Sequence, residues 1–382
     1  MPVSVPQLLV ERARNMVKPI AGVNGPAIVG LAQPCRTMVF KPVMTDLSTK
    51  LIPDFDLSAR NTLALRARSR FGLVLNEIAM VPALFELAGK EGLAVRLLGG
   101  GSNVVLAPDF DGITAIMAIN DHRVLEDLAD TVIVEAAAGR SWHDFVVWTV
   151  EQGFGGLENL AGIPGTMGAA PVQNIGAYGV ELADVFHSLT AYDRQSGEQR
   201  IFDGPACVFS YRHSAFKQEP NRFTILSVRL RLPKVWVPNL GFAGLSELAG
   251  KAGLTPKNVM ERVLALRGSK LPDWRIEPNA GSFFQNPILP AGDATPVLAE
   301  FPNAPNFSLP DGKTKLSAGW LIEKSGLKGF RLGPAGISER HALVVVNHGG
   351  AEQADIAALS AHVKKTVKTR FGVQLHEEPI FL

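Results

Sequence analysis

One stretch limits the choices more than any other. Leu157 to Gly179 reads Leu-Glu-Asn-Leu-Ala-Gly-Ile-Pro-Gly-Thr-Met-Gly-Ala-Ala-Pro-Val-Gln-Asn-Ile-Gly-Ala-Tyr-Gly, and Glu158 is its only charged residue. Seven of these 23 positions are glycine or proline, too many for a regular helix or strand. A structureless surface loop would carry charge. Small, uncharged residues instead imply main chain packed close to something large, flat and partly apolar. A cofactor ring or a pyrophosphate meets that demand, and a tightly packed crossover is the plain alternative. A second glycine cluster, Gly99-Gly100-Gly101-Ser102-Asn103, follows an expected strand at 94–98. Val104-Val105-Leu106 comes next and favours a strand, so the strand–turn–helix of a dinucleotide-binding fingerprint is absent. Such a loop can still bind an anion as a nest of free N–H groups; a hairpin turn is the alternative.

The rest of the chain sets the frame. Its 382 residues suit two or three domains, and 46% hydrophobic residues supply sizeable cores. Thirty-eight basic against 36 acidic side chains leave no electrostatic footprint for nucleic acid or an anionic membrane. Two cysteines, Cys35 and Cys207, exclude a disulfide scaffold or a Cys-rich metal site, and the histidines lack ligand spacing. No window is apolar for long enough to predict a membrane span. Prolines and basic residues mark the first 60 positions, read as a poorly ordered extension or a targeting arm, with regular structure starting near Asn61.

Helices are expected at 82–92, from Ser141 to Gly153, at 256–267 (stopped by Gly268), at 318–324 and at 352–370. Strands are expected at 113–119, 131–138, 189–192, 198–202, 223–232 and 342–346. This mixture without strict alternation is α+β. Two further clusters carry reactive groups. In Phe209-Ser210-Tyr211-Arg212-His213-Ser214 an arginine lies among hydroxyls. In Asn279-Ala280-Gly281-Ser282-Phe283-Phe284-Gln285-Asn286-Pro287 a serine stands between glycine and two aromatics. Ser282 matches no nucleophile-elbow pattern; it is either a general acid or part of a packing turn.

Together these segments resemble the UDP-N-acetylenolpyruvoylglucosamine reductase family. The resemblance runs from Asn61-Thr62 to the C-terminus through Gly-Gly-Gly-Ser-Asn, Gly-Leu-Glu-Asn-Leu-Ala-Gly-Ile-Pro-Gly, Gln-Asn-Ile-Gly-Ala-Tyr-Gly, Tyr-Arg-His-Ser-Ala-Phe-Lys, Lys-Leu-Pro-Asp, Ala-Gly-Ser-Phe-Phe-Gln-Asn-Pro and Lys-Leu-Ser-Ala-Gly-Trp-Leu-Ile-Glu. It implies a two-part FAD-binding region like that of the vanillyl-alcohol-oxidase flavoproteins, plus a C-terminal α+β substrate-binding domain. The expected borders are an extension at 1–57, FAD-binding subdomains at 58–122 and 123–271, and a substrate domain at 272–371, with 372–382 returning to the first subdomain.

By the family's pattern NADPH reduces non-covalent FAD, and the enolpyruvyl group of UDP-N-acetylglucosamine enolpyruvate is then reduced. Gly99, Gly100, Gly101, Ser102, Asn103, Ile163, Pro164, Gly165, Gly168, Ala169, Asn174, Gly176, Ala177 and Tyr178 would hold the flavin. Arg212 and Glu378 would stabilise the enolate, with Glu377 as the alternative acid and a raised carboxyl pKa expected, and Ser282 would protonate it. Lys270, Asn286 and Phe242 would contact substrate, Phe242 standing where the family usually has tyrosine. Pro379 stands where the family begins a further strand, and the chain ends four residues past Glu378. The resemblance implies a cytoplasmic, monomeric enzyme with no nucleic-acid or membrane partner. A flavin oxidase of the same superfamily, tethering FAD through His or Cys, is one alternative, and a non-catalytic flavin-binding homologue is the other; His143 and Cys207 lie in no recognisable attachment motif.

Overall fold

A computed structural model describes residues 46–382, and the proposed N-terminal arm up to residue 45 lies outside them. Three sheets and the helices laid against them account for most of the architecture, which is α+β. The first sheet orders its strands Ile52–Asp56, Arg68–Leu75, Asp109–Met117 and Ala94–Leu98. The last three run parallel, and Ile52–Asp56 adds antiparallel at the edge. Regular structure thus begins before Asn61, with Pro53 tolerated because an edge strand has one side unpaired. Helix Met80–Glu91 buries Met80, Val81, Leu84 and Ala88 against Leu73, Leu75, Ile113 and Ala115. Each of those larger side chains contributes roughly 1.5–3 kcal/mol. Gly92, at φ +65°, ends the helix.

The second sheet is wholly antiparallel, in the order Glu198–Asp203, Phe186–Asp193, Phe223–Pro233, Thr131–Ala137 and His122–Asp127. Helix Trp142–Glu151 packs on it through Trp142, Phe145, Val146 and Val150, and Ser141 caps it by accepting the Asp144 N–H. Helix Pro256–Lys270 starts at the Thr255 capping box but runs through Gly268. That glycine is exposed and a Cβ there would meet nothing within 4 Å, so it costs the helix only about 1 kcal/mol and does not stop it.

The third sheet, Asn279–Ser282, Val344–Asn347, Ala335–Ile337 and Arg331–Leu332, is covered by helices Ala318–Lys324 and Gln353–Phe371. Ile356, Leu359, Val363 and Val367 give the long helix one buried stripe. Ile380–Phe381 then pairs in parallel with Val104–Val105. Pro379 therefore does not prevent a strand: it precedes the first pair, so its missing N–H removes no ladder bond. Val104–Val105 partners that strand and not its neighbour Ala94–Leu98, so the glycine cluster between them is no hairpin.

Candidate active site

The two glycine segments meet each other. A Cβ on Gly100 would stand 3.0 Å from Gly165 Cα, and one on Gly99 would stand 2.4 Å from Thr166 Oγ1. Gly101 has φ +61°, and a Cβ there would be 2.0 Å from the Arg60 carbonyl oxygen, so only glycine fits. Ser102 Oγ donates to the Pro164 carbonyl at 3.0 Å. Behind them Gly168 N donates to Ala138 O and Met167 N to Arg140 O, both at 2.8 Å. The main-chain N–H groups of Gly100–Asn103, Gly165 and Thr166 have no acceptor in the described chain. Gly100, Pro164 and Ala169 are exposed, so this lip is not sealed beneath core side chains. Arg140 Nε, buried beside it, has no partner either. An anion-binding nest has this donor pattern, and a diphosphate fits it.

Arg212 lies in a tight turn in which Ser210 N and His213 N donate to each other's carbonyls. Its φ of +54° is left-handed, a conformation that costs a non-glycine residue about 1–3 kcal/mol and that neighbours must hold. Arg212 Nη2 donates to Gly176 O at 3.0 Å, and Nε lies 2.9 Å from Glu378 Oε1. The Nε–H is not aligned on that oxygen, so the contact is an ion pair more than a hydrogen bond. Burial pushes the Glu378 carboxyl above the usual carboxylate range, against the opposing pull of Arg212 and Lys217. Its neighbour Glu377 faces elsewhere. It accepts from Ser360 Oγ at 2.7 Å and pairs with Lys364, and these contacts outweigh burial and pull its pKa down. The geometry thus brings Glu378, not Glu377, to Arg212.

Three segments anchor Glu378 through its main chain. Its N–H donates to Phe283 O at 2.8 Å, while Asn103 Nδ2 and Gln173 Nε2 donate to its carbonyl at 3.3 and 2.7 Å. The glycine loop is thereby tied to the acid. Ser282 directly precedes Phe283, half-buried at the end of its strand, and its hydroxyl makes no hydrogen bond within the described chain. Phe283 and Phe284, both buried, fix that strand end. Asn286 N donates to Tyr211 Oη at 3.2 Å, which seats it beside the Arg212 turn, and its Oδ1 accepts the Ala318 N–H at 2.9 Å.

A second group forms a wall. The ring of Phe242 meets Tyr178 edge-on at 4.8 Å, and Lys270 Nζ lies 5.9 Å from the Phe242 centroid. Tyr178 takes φ +51° in the turn between Gly176–Ala177 and Val180–Glu181, and Asn159 Nδ2 holds its carbonyl at 2.9 Å. Asn174 differs from the expectation for a ligand contact: its amide accepts from Ala183 N and donates to Glu181 and Ser210, so its side chain shapes the loop. Two cavities of about 490 and 500 Å³ are lined by no residue of these groups. The second reaches Ala137, next to the Ala138 carbonyl that receives Gly168 N–H.

Three residues escaped the sequence reading. Gln173 and Lys217 lie inside quoted motifs but carry no signature of their own. Arg267 packs its Nε against the Gly162 α-carbon's open side, forms no ion pair among the described residues, and senses Tyr178; no sequence signal marks it. Cys207 is fully buried and its thiol is pushed up to about 12, and His143 Nδ1 accepts the Gly162 N–H at 3.1 Å.

Comparison with known proteins gives a consistent picture. Residues 273–382 match the family description "UDP-N-acetylenolpyruvoylglucosamine reductase, C-terminal domain", and residues 73–203 match "FAD binding domain". The chain is 46% identical over 336 residues to the UDP-N-acetylenolpyruvoylglucosamine reductase of Pseudomonas aeruginosa, covering 87% of this chain and 99% of that one. With the protein of the same name from Burkholderia cenocepacia it shares 44% over 343 residues, 88% of this chain and 98% of the other. Among solved structures, the UDP-N-acetylenolpyruvylglucosamine reductase of Thermus caldophilus shares the fold, with a TM-score of 0.59 at 23% identity over 87% of this chain and 99% of that chain.

Proposed function

The chain belongs to the UDP-N-acetylenolpyruvoylglucosamine reductase family, and on that premise we propose that it reduces UDP-N-acetylglucosamine enolpyruvate to UDP-N-acetylmuramate, a step of peptidoglycan precursor synthesis. It is an FAD-containing oxidoreductase with NADPH as reductant. FAD, when bound, would supply the hydride-transfer chemistry that links NADPH to the enolpyruvyl methylene carbon.

The chain's own residues do the rest. The free N–H groups of Gly100–Asn103, Gly165 and Thr166 would hold the diphosphate of FAD, with Ile163, Gly168, Ala169 and the Gly176–Tyr178 turn along its length. Breaking the carbon–carbon π bond leaves negative charge on the carbon beside the carboxylate. The Arg212 guanidinium stands ready for that charge, and it acts most where the charge is greatest, in the transition state. Burial shifts the Glu378 carboxyl toward its protonated form, which would not repel the enolate. Ser282 Oγ–H gives its proton to the adjacent carbon and regains one from solvent, so one hydride and one proton are added in all. Lys270, Arg267 and the Phe242–Tyr178 wall would receive the nucleotide diphosphate, and Asn286 the substrate beside Tyr211.

The observation that carries this reading is the half-buried Arg212–Glu378 pair tied through Asn103 to the glycine loop. The reading places the enzyme in the cytoplasm, a monomer acting on small molecules; among the described residues no helix is long and apolar enough to cross a membrane. Stopped-flow absorbance at the flavin band tests it. NADPH should bleach the yellow protein and the enolpyruvyl nucleotide-sugar should restore the colour. A colourless protein, or bleaching that the sugar does not reverse, overturns the reading.

A further inference from the structure

One cation beside the Arg212 turn has no task in the chemistry above. Lys217 belongs to the short helix Ala215–Gln218, which Ser214 caps: the Ser214 hydroxyl accepts the Lys217 N–H at 3.3 Å and donates to Val172 O at 2.8 Å. Phe216 pins the helix by packing on Phe202 and Phe223 at 5.2 and 5.8 Å. From this fixed base the Lys217 ammonium donates to the Arg212 carbonyl at 3.1 Å, and it forms no ion pair with any carboxylate of the described chain. The acceptor matters. Arg212 holds its left-handed backbone without the freedom of glycine, and any relaxation would move that carbonyl together with the guanidinium. A charged donor on the carbonyl resists the relaxation.

We propose that Lys217 is a positioning residue for the substrate half of the reaction: it locks Arg212 in its left-handed turn and holds a second positive charge facing Glu378. This rests on the functional reading given above. The charged and titratable groups around Glu378 are Arg212 and Lys217, with Tyr211 alongside and Glu181 beyond it. Glu377, on the same segment, is turned to Lys364 and Ser360, and Asn103 and Gln173 bring only neutral amides. Burial favours the protonated carboxyl and the two cations oppose it, so removing Lys217 leaves one opponent fewer.

The test uses the full-length holoenzyme and separates the half-reactions by stopped flow across pH. In Lys217→Met, reduction by NADPH should stay within twofold while reoxidation by the enolpyruvyl sugar falls at least tenfold and its pH midpoint rises. Lys217→Gln retains a donor without the charge; it should recover most of the rate and keep the shifted midpoint. Lys217→Arg should restore both. Normal reoxidation and an unmoved midpoint in Lys217→Met would overturn the proposal, as would equal loss in both halves. If Lys217→Met does not retain FAD, an unshifted midpoint in Lys217→Gln is enough to overturn it. Failure of the wild type to bleach or recover counts instead against the functional reading.

Discussion

Gly101→Ala puts the loop proposed to hold the FAD diphosphate under a defined load. The residue sits at φ +61°, where an L side chain costs about 1–2 kcal/mol, and its new Cβ would fall 2.0 Å from the Arg60 carbonyl oxygen. The loop must retreat by roughly 1 Å to restore contact distance, which stretches the 3.0 Å bond from Thr62 N to Gly101 O, worth about 1 kcal/mol. The total is about 2–3 kcal/mol, and it falls on the loop whose N–H groups have no acceptor in the described chain. If the loop relaxes in the apoprotein, FAD affinity should drop between about 30-fold and about 150-fold. If it does not relax, the apoprotein loses the same free energy in stability. Apoprotein titrated with FAD, followed by flavin fluorescence, and urea unfolding of the same preparation together capture the whole penalty. Gly89→Ala is the matched control: that glycine is exposed in helix Met80–Glu91 and meets nothing within 4 Å, so alanine should stabilise the helix by about 1 kcal/mol. If Gly101→Ala binds FAD within threefold of wild type and unfolds at the same urea concentration, the argument for this loop is wrong.

Other substitutions separate the remaining roles. Ser282→Ala should leave NADPH-driven bleaching within about twofold and slow reoxidation roughly 10²–10⁴-fold; equal losses in both phases would make the serine structural. Arg212→Lys should cost roughly 10² in the reoxidation rate, because a point charge cannot copy a planar fork, and near-normal turnover would contradict the role. Glu378→Gln probes the raised carboxyl. A group that holds its proton more tightly when folded adds most stability below its ordinary value of 4.5 and loses that contribution as pH rises through the folded value. The glutamine protein should therefore match or exceed wild type in urea at pH 7, and the gap should close as the buffer is taken below 4.5. A gap that widens on acidification would reverse the assignment.

What could be read in advance follows from what kind of signal each feature leaves. The glycine segments were legible because missing charge and missing side chains are themselves a pattern. Whole motifs place Arg212, Ser282 and Glu378, and the structure shows how the first and third meet while leaving Ser282 one residue from Phe283, whose carbonyl accepts the Glu378 N–H. The strand His122–Asp127 went unseen because it is a largely exposed edge with no alternation. Gly268 and Pro379 misled for a common reason: each residue's penalty depends on position, and both positions are forgiving. Lys217 and Arg267 could not be found by pattern at all, since their importance lies in which carbonyl or loop a flexible stem happens to reach.

The main chain at Glu378 is the meeting point of segments far apart in the polypeptide. Asn103 reaches it across 275 positions, Gln173 across 205, and Phe283 from a third direction. Contacts of such long sequence separation form late, because each closes a large loop before any gain is realised. A molecule that has built its separate sheets but not drawn the final segment home holds an arginine with no carboxylate opposite. The proposed Arg212–Glu378 site is thus a report on completed assembly, because the main chain that presents the carboxylate is held by Asn103, Gln173 and Phe283 together.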